Sequence, residues 1–333
     1  MSMTIFRPGL LTTIQDLGRT GYLKYGVIVS GPMDEYAHRM ANLLVGNDEK
    51  AALLEMTFIG PTIQFTSDQL IAMTGGDLSP TIDGHSVPMY RPVFVKKGAV
   101  LSFGRCKTGC RSYLAIGGGI DVPKVMNSRS TYLRAKIGGF QGRALVEGDE
   151  LICGAPPEQT ERLVKTCQKG IVHSFATTKW SVVSSQRSRD GAEKVVRVTV
   201  GSHYEQFSEA SQHKFFSETF QVTSKSDRMG YRLKGPTLER LEEQELISEP
   251  ISVGTIQVPA DGNPIILMAD RQTTGGYPRI AHVIAVDLPI IAQAKPGAAI
   301  RFQQASLKEA ERLYIRRARE FNELKTSISL QTR

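Results

Sequence analysis

Residues 52–73 read ALLEMTFIGPTIQFTSDQLIAM. Three β-prone apolar runs, Ala52–Thr57, Thr62–Phe65 and Leu70–Met73, are separated by Gly60-Pro61 and by a break ending in Asp68. Runs this short, closed by turn formers, predict consecutive strands rather than helices. The pattern continues through Val93–Val95, Val100–Phe103 and Tyr113–Ile116, with Gly, Pro or Asp turns at nearly every interval up to Ile152. Strands without intervening helical periods point to a barrel or sandwich and away from βαβ repeats. Upstream, residues 5–29 are β-type runs broken by Gly9, Gly18, Gly21 and Gly26. Between the two β regions, Ser30–Gly46 predicts a helix with Pro32 at its first position and Asp34 in its first turn. Tyr36, Met40 and Leu44 with Ala37 and Ala41 form its apolar face, and Gly46 ends it. His38, Arg39 and Asn42 are interspersed with that face, as a solvated flank or as a polar row along one edge of a site.

The second half repeats the theme. Val195–Val200 reads as a strand, Ser202-x-x-Glu205 as a capping box opening a helix over Tyr204–Ser217, and Phe220–Leu233 as strand, polar turn, strand. Within Ser252–His282 the runs Thr255–Val258 and Ile265–Ala269 flank Pro259-Ala-Asp-Gly-Asn-Pro264, a hairpin signal. Behind them lies Asp270-Arg-Gln-Thr-Thr-Gly-Gly-Tyr-Pro-Arg279, a loop of varied polar groups around two glycines. Loops fixed at the end of buried strands are where sites collect, although a decorated turn is the plainer reading. A second capping box, Ser306-x-x-Glu309, opens a C-terminal helix with an apolar docking stripe. The echo between Lys97-Gly98…Phe103 and Pro296-Gly297…Phe302 suggests two related β domains. The expected organisation is therefore residues 1–154, a polar connector over 155–194 containing Pro156-Pro157 and Ser184–Gly191, and residues 195–333.

Composition narrows the function classes. The chain has 333 residues, a net charge of +8 and 41% hydrophobic content, with no apolar run long enough for a membrane span and no signal-peptide pattern at Met1. A cytoplasmic protein is expected. Its basic residues are scattered rather than gathered on one face with a nucleic-acid motif, which favours an anionic small molecule or an acidic partner over nucleic acid. Cys106, Cys110, Cys153 and Cys167 lack zinc-ligand spacing, so packed free thiols and no metal are expected. Ala115-Ile-Gly-Gly-Gly-Ile-Asp121 lacks the ending of a P-loop. Asn127–Tyr132, followed by Gly138-Gly139, is a further polar loop without an obvious structural need.

Four blocks in order, Gly31-Pro-Met-Asp34 with Arg39 and Ala41-Asn42, Ser128–Tyr132, Ser226–Leu233 and Gln272–Pro278, resemble the biotin-dependent carboxyltransferase-like family, also called allophanate hydrolase subunit 2. The resemblance runs from about Met3 to about Phe302. It implies two cyclophilin-like β-barrel domains with a cleft between them. Stand-alone members of this length are similar to the C subunit of prokaryotic 5-oxoprolinase. That likeness implies an ATP-dependent opening of 5-oxo-L-proline to L-glutamate, in company with a catalytic A subunit and with an inhibitor-like, cyclophilin-like B subunit. The alternatives are a biotin-dependent carboxyltransferase acting on an amide or urea-like substrate, or a non-catalytic protein that sequesters a sporulation-kinase inhibitor. No Met-Lys-Met carrier tripeptide occurs, so biotin is not expected, and the ATP site is left unassigned.

Lactam opening and carboxyl transfer both need donors aimed at a developing oxyanion. On this resemblance Arg129, Arg228 and Arg279 are expected to contact anions. Asp34 and Asp270 are expected to move or orient protons, with Arg129 beside them as a catalytic group. Gln272, Thr273, Thr274 and Tyr277 are expected to hold the substrate, with Arg39, Asn42 and Ser128 closing the site. Replacing Asp270 or Gln272 by Ala is then expected to abolish turnover and leave the fold intact.

Overall fold

The strands of the 52–73 stretch, Leu53–Thr57, Thr62–Phe65 and Gln69–Asp77, are divided between two sheets. Leu53–Thr57 is buried on both faces, whereas Thr62–Phe65 alternates buried and half-buried positions as a sheet with one wet face requires. The computed structural model describes residues 2–171, 173–183, 193–242 and 246–331. Strand accounts for 32% and helix for 21%, so the mainly β expectation holds.

Contacts divide the chain into two compact units, the first built from residues 1–20, 30–187 and 322–333, the second from residues 21–29 and 188–321. In the first unit one sheet runs in the order Glu150–Ile152, Ser2–Arg7, Thr62–Phe65, Val100–Phe103, Pro80–Ile82, His85–Ser86. The other runs Phe175–Thr177, Val93–Val95, Gln69–Asp77, Thr108–Ile116, Leu53–Thr57, Leu11–Gln15. Ile5, Ile63, Phe65 and Leu101 of the first sheet meet Ile14, Leu54, Met56, Ile71, Met73 and Leu114 of the second in one core. Helix α1 (Glu35–Leu44) packs on Gln69–Asp77 and Thr108–Ile116. Its start is later than the sequence predicts, because Asp34 is the N-cap and Pro32 precedes the helix. Gly46, at φ 79°, provides the left-handed exit.

The expected connector is in large part folded into this unit. Helix α2 (Glu158–Gln168) buries Leu163 and Cys167, and Phe175–Thr177 pairs with Val93–Val95. Ser184–Gly191 lies outside the described residues.

The second unit is a closed barrel in the order Lys194–Val200, Arg279–Val283, Thr255–Gln257, Ile265–Leu267, Gly230–Lys234, Thr219–Val222, Ala299–Gln304. Lys194–Val200 and Ala299–Gln304 close it in parallel, while the other neighbours are antiparallel. The expected hairpin is present, with Ile256 opposite Ile266 and Gln257 opposite Ile265. The helix expected over Tyr204–Ser217 is broken into a 3-10 turn, Tyr204–Gln206, and α3 (Glu209–Ser217). Phe207 is fully buried between them, and Ser208 rather than Ser202 caps the helix by accepting from Ser211 N. Phe215 of α3 stacks on Phe302 at 4.5 Å between centroids, fixing the helix on the barrel. Helix α4 (Leu288–Ala292) and the long α5 (Leu307–Leu330) follow. Ser306 caps α5 through Glu309 N as its capping box predicts.

Candidate functional site

The barrel delivers the polar loop from one strand and takes it back on another. Ile265–Leu267 leads through Met268 to Asp270, and the loop re-enters as Arg279–Val283. In between, Thr274–Gly275 forms a short antiparallel ladder with Glu249–Pro250. A Cβ on Gly275 would stand 2.7 Å from Gln257 Nε2, so the Gln257 side chain would have to shift to admit one.

At the root of the loop Asp270 is engaged by Arg228. Arg228 Nε donates to Oδ2 at 2.8 Å and Nη2 to Oδ1 at 3.0 Å, while Asp270 N donates to Arg228 O at 2.8 Å. The side chains are 7% and 6% exposed. Asp227 instead caps its own turn, accepting from Met229 and Gly230 N. Asp270 and Arg228 thus form a buried ion pair at the root of the loop.

Beyond that root the side chains are unengaged. Gln272, Thr274 and Tyr277 are exposed, Thr273 is half-buried, and none of the four side chains makes a hydrogen bond among the described residues. Arg271, beside them, donates to Ile251 O at 3.3 Å, and burial lowers its pKa from the ordinary arginine value. Burial and the Arg271 charge together lower the pKa of His282. Arg279 pairs with Glu249, and its backbone N–H donates to His203 Nδ1 at 3.1 Å. Burial and the Arg279 guanidinium lower the pKa of His203. His203, Glu249, Arg271 and His282 were not singled out from the sequence. His203 sits inside Ser202-x-x-Glu205, whose capping-box reading absorbed it; Arg271 lies within the polar loop, and no motif marks Glu249 or His282.

The remaining candidates lie in the first unit and are held by it. Asp34 Oδ1 accepts from Ala37 N at 3.0 Å as the cap of α1, and Asp34 N donates to Tyr113 Oη at 2.8 Å. Tyr113 in turn donates to Glu55 Oε2 at 2.9 Å, and burial with the Glu55 charge pushes its phenol well above the ordinary range. Arg39 pairs with Glu49 at 2.7 Å, and fully buried Asn42 donates to Ala51 O at 2.9 Å and accepts from Asn47 at 3.1 Å. Both tie α1 to the loop that follows it.

Ser128 and Arg129 do converge, on Asp16. Its carboxylate accepts from Ser128 Oγ and Ser130 Oγ at 2.6 Å each, Arg129 N at 2.5 Å and Gly18 N at 2.8 Å. Those donors outweigh burial and hold its pKa below the usual carboxylate value. The Arg129 guanidinium is engaged by Val122 O and Asp121. Asp16 therefore supplies the structural need of the Asn127–Tyr132 loop. His38 is fully buried with Nε2 3.2 Å from Gln15 O, and burial pushes its pKa down to about 4. Burial raises the thiols of Cys153 and Cys167 to about 11, which makes them poor nucleophiles. Among the described residues no helix is long and apolar enough to cross a membrane.

Comparison with known proteins places this geometry. A family profile described as "Carboxyltransferase domain, subdomain A and B" matches residues 25–304. The chain is 40% identical to the 5-oxoprolinase C subunit of Escherichia coli, over 92% of this chain and 93% of that one. It is equally identical to the 5-oxoprolinase C subunit of Haemophilus influenzae, over 90% of both. Among solved structures, Kluyveromyces lactis urea carboxylase superposes on 100% of this chain with a TM-score of 0.83 at 31% identity, this chain matching 29% of its length.

Proposed function

Because the chain belongs to the carboxyltransferase domain family, subdomains A and B, we propose that it serves as the C subunit of an ATP-dependent 5-oxoprolinase, working with that enzyme's A and B subunits to convert 5-oxo-L-proline to L-glutamate. One observation carries the reading. The match to the Escherichia coli protein runs through 92% of this chain and 93% of its relative, whereas the urea carboxylase match is a 29% part of a larger protein.

In the reaction the ring C–N bond breaks, a water oxygen joins the carbonyl carbon, and the ring nitrogen leaves as the amino group. ATP, split to ADP and phosphate, supplies the driving force. The loop Arg271–Arg279 suits such a substrate. A lactam presents an acceptor oxygen and a donor N–H, and its carboxylate calls for a cation. Gln272 offers both amide roles, Thr273, Thr274 and Tyr277 offer hydroxyls, and Arg271 offers charge. Their freedom from intramolecular hydrogen bonds leaves the four uncharged side chains available for it. The Arg228–Asp270 pair fixes the root from which they project.

The glycine run does not fit a triphosphate. Gly117 N donates to Leu70 O, Gly118 N to Asn47 Oδ1 and Gly119 N to Ile116 O, so the amides that would cradle phosphate are engaged. A Cβ at Gly118 would stand 2.2 Å from Gly154 O, which shows close backbone packing there. The reading therefore leaves the nucleotide with another member of the complex.

The test is ATP-dependent glutamate formation from 5-oxoproline by the reconstituted complex, with and without this chain. A full rate without it, or no turnover with all three components, refutes the assignment. The urea carboxylase likeness, at a TM-score of 0.83, supports carboxyl transfer as a second reading. Carboxybiotin-dependent carboxylation of an amide by the same preparation would establish that one instead.

A further inference from the structure

His203 sits at the start of the site's return strand, and its ring is oriented by one contact. The backbone N–H of Arg279 points at Nδ1 from 3.1 Å, and Arg279 Nε and Ser202 Oγ approach the same nitrogen at 3.5 Å. A backbone amide can only donate, so Nδ1 must present its lone pair. The proton of the neutral ring is then on Nε2. His203 N donates to Arg279 O at 3.1 Å, so the two residues are tied in both directions. Protonating Nδ1 would set one N–H against another. The charges around the ring act the same way: Arg279 and Arg240 oppose a third positive charge, and Glu249, which favours it, is already paired with Arg279. Nε2 has no hydrogen-bond partner among the described residues, and the ring is only half-buried.

We propose that His203 is a substrate-contacting hydrogen-bond donor of the Arg271–Arg279 site, held as the neutral Nε2–H tautomer and directed at the amide oxygen of a small cyclic amide. The choice of substrate rests on the 5-oxoprolinase reading. A neutral donor fixed in place strengthens its hydrogen bond as charge develops on that oxygen, without reorganising.

Two measurements test it. Long-range 1H–15N correlation spectra of the full chain, labelled at histidine, are expected to show the neutral His203 ring as Nε2–H, with its titration displaced below that of an unperturbed imidazole. A Nδ1–H pattern, or titration at or above the pH of an unperturbed imidazole, overturns the proposal. In the reconstituted complex His203→Asn keeps an acceptor, Oδ1, for Arg279 N–H but has no donor at the Nε2 position. It is expected to lose about tenfold or more in kcat/KM for 5-oxoproline. Its Tm is expected to stay within about 2 °C of wild type. His203→Gln, which restores an N–H near the Nε2 position, is expected to recover part of that loss. An unchanged kcat/KM in His203→Asn, or equal losses in both variants with a lowered Tm, refutes the contact. No 5-oxoproline turnover by the wild-type complex would instead sink the functional reading itself, and the spectra would still decide the tautomer.

Discussion

Asp270→Ala separates the structural account of the loop root from a catalytic one. The substitution strands the Arg228 guanidinium, 7% exposed, without its bidentate partner. Breaking a buried pair from one side costs about 3–5 kcal/mol, because the remaining buried charge loses its counter-ion. Removing both charges together, as Asp270→Ala with Arg228→Met, leaves neither charge of the pair facing a lost counter-ion and should cost about 1 kcal/mol. In a unit of this size 1 kcal/mol moves Tm by about 3–5 °C. The single variant should therefore melt about 10–20 °C early and the double variant within about 5 °C of wild type. Calorimetric melts of the two variants, with turnover measured beside each, should place the single variant about 2–4 kcal/mol below the double. An Asp270→Ala protein that melts within about 2 °C of wild type yet has lost all turnover would refute this reasoning and return Asp270 to the chemistry.

Gln272→Ala and Tyr277→Phe remove groups with no hydrogen bond among the described residues, so stability should stay within about 0.5 kcal/mol while kcat/KM for 5-oxoproline falls about 10–100-fold. Full activity in both would take the loop out of the mechanism. Tyr113→Phe deletes the hydroxyl between Asp34 N and Glu55, and the loss of both hydrogen bonds should cost about 1–3 kcal/mol in urea unfolding; a neutral change would mean that water takes its place. His38 supplies a pH test. Its folded pKa of about 4 lies below its unfolded value of about 6.5, so between those values the unfolded chain binds a proton that the folded chain does not. Its contribution is therefore complete above about pH 6.5 and lost progressively as pH falls to about 4, a loss of about 3 kcal/mol in all. Urea midpoints across that range should fall less steeply for His38→Gln than for wild type, and identical slopes would contradict a buried neutral imidazole.

The strands were legible because alternation and turn residues are local. The hairpin at Ile256 and Ile266 and the Ser306 cap of α5 were readable for the same reason. The role of each polar side chain was not, because it depends on partners distant in the chain. Asp270 and Arg228 meet because Gly230 pairs with Leu267, a register that composition alone does not set. Asp16 gathers Ser128 and Ser130 from across the first unit, and neither stretch shows the need of the other. Asp34 is the partial exception. An aspartate ahead of an apolar-periodic run is an N-cap signal, and placing Pro32 at the first helical position displaced it by one turn. For His203 the decisive feature is the direction of a backbone N–H, which no residue type reveals.

The loop's polar groups thus fall into two sets that hydrogen bonding separates. Three anchors hold its backbone: the Arg228–Asp270 pair at the root, the Thr274–Gly275 ladder with Glu249–Pro250, and the Arg279 contacts to Glu249 and His203 at the return. Gln272, Thr273, Thr274 and Tyr277 project from that frame unengaged. A frame fixed before binding reduces the ordering cost of a ligand, which runs at about 0.5–1.5 kcal/mol for each flexible side chain that binding must immobilise. The two sets should therefore fail differently under substitution. Loss of an anchor lowers stability and activity together, since the backbone that presents the donors moves. Loss of a presented group lowers activity alone, since the frame does not depend on it. A decorated turn has no such division, because its polar groups would be interchangeable with one another and with water.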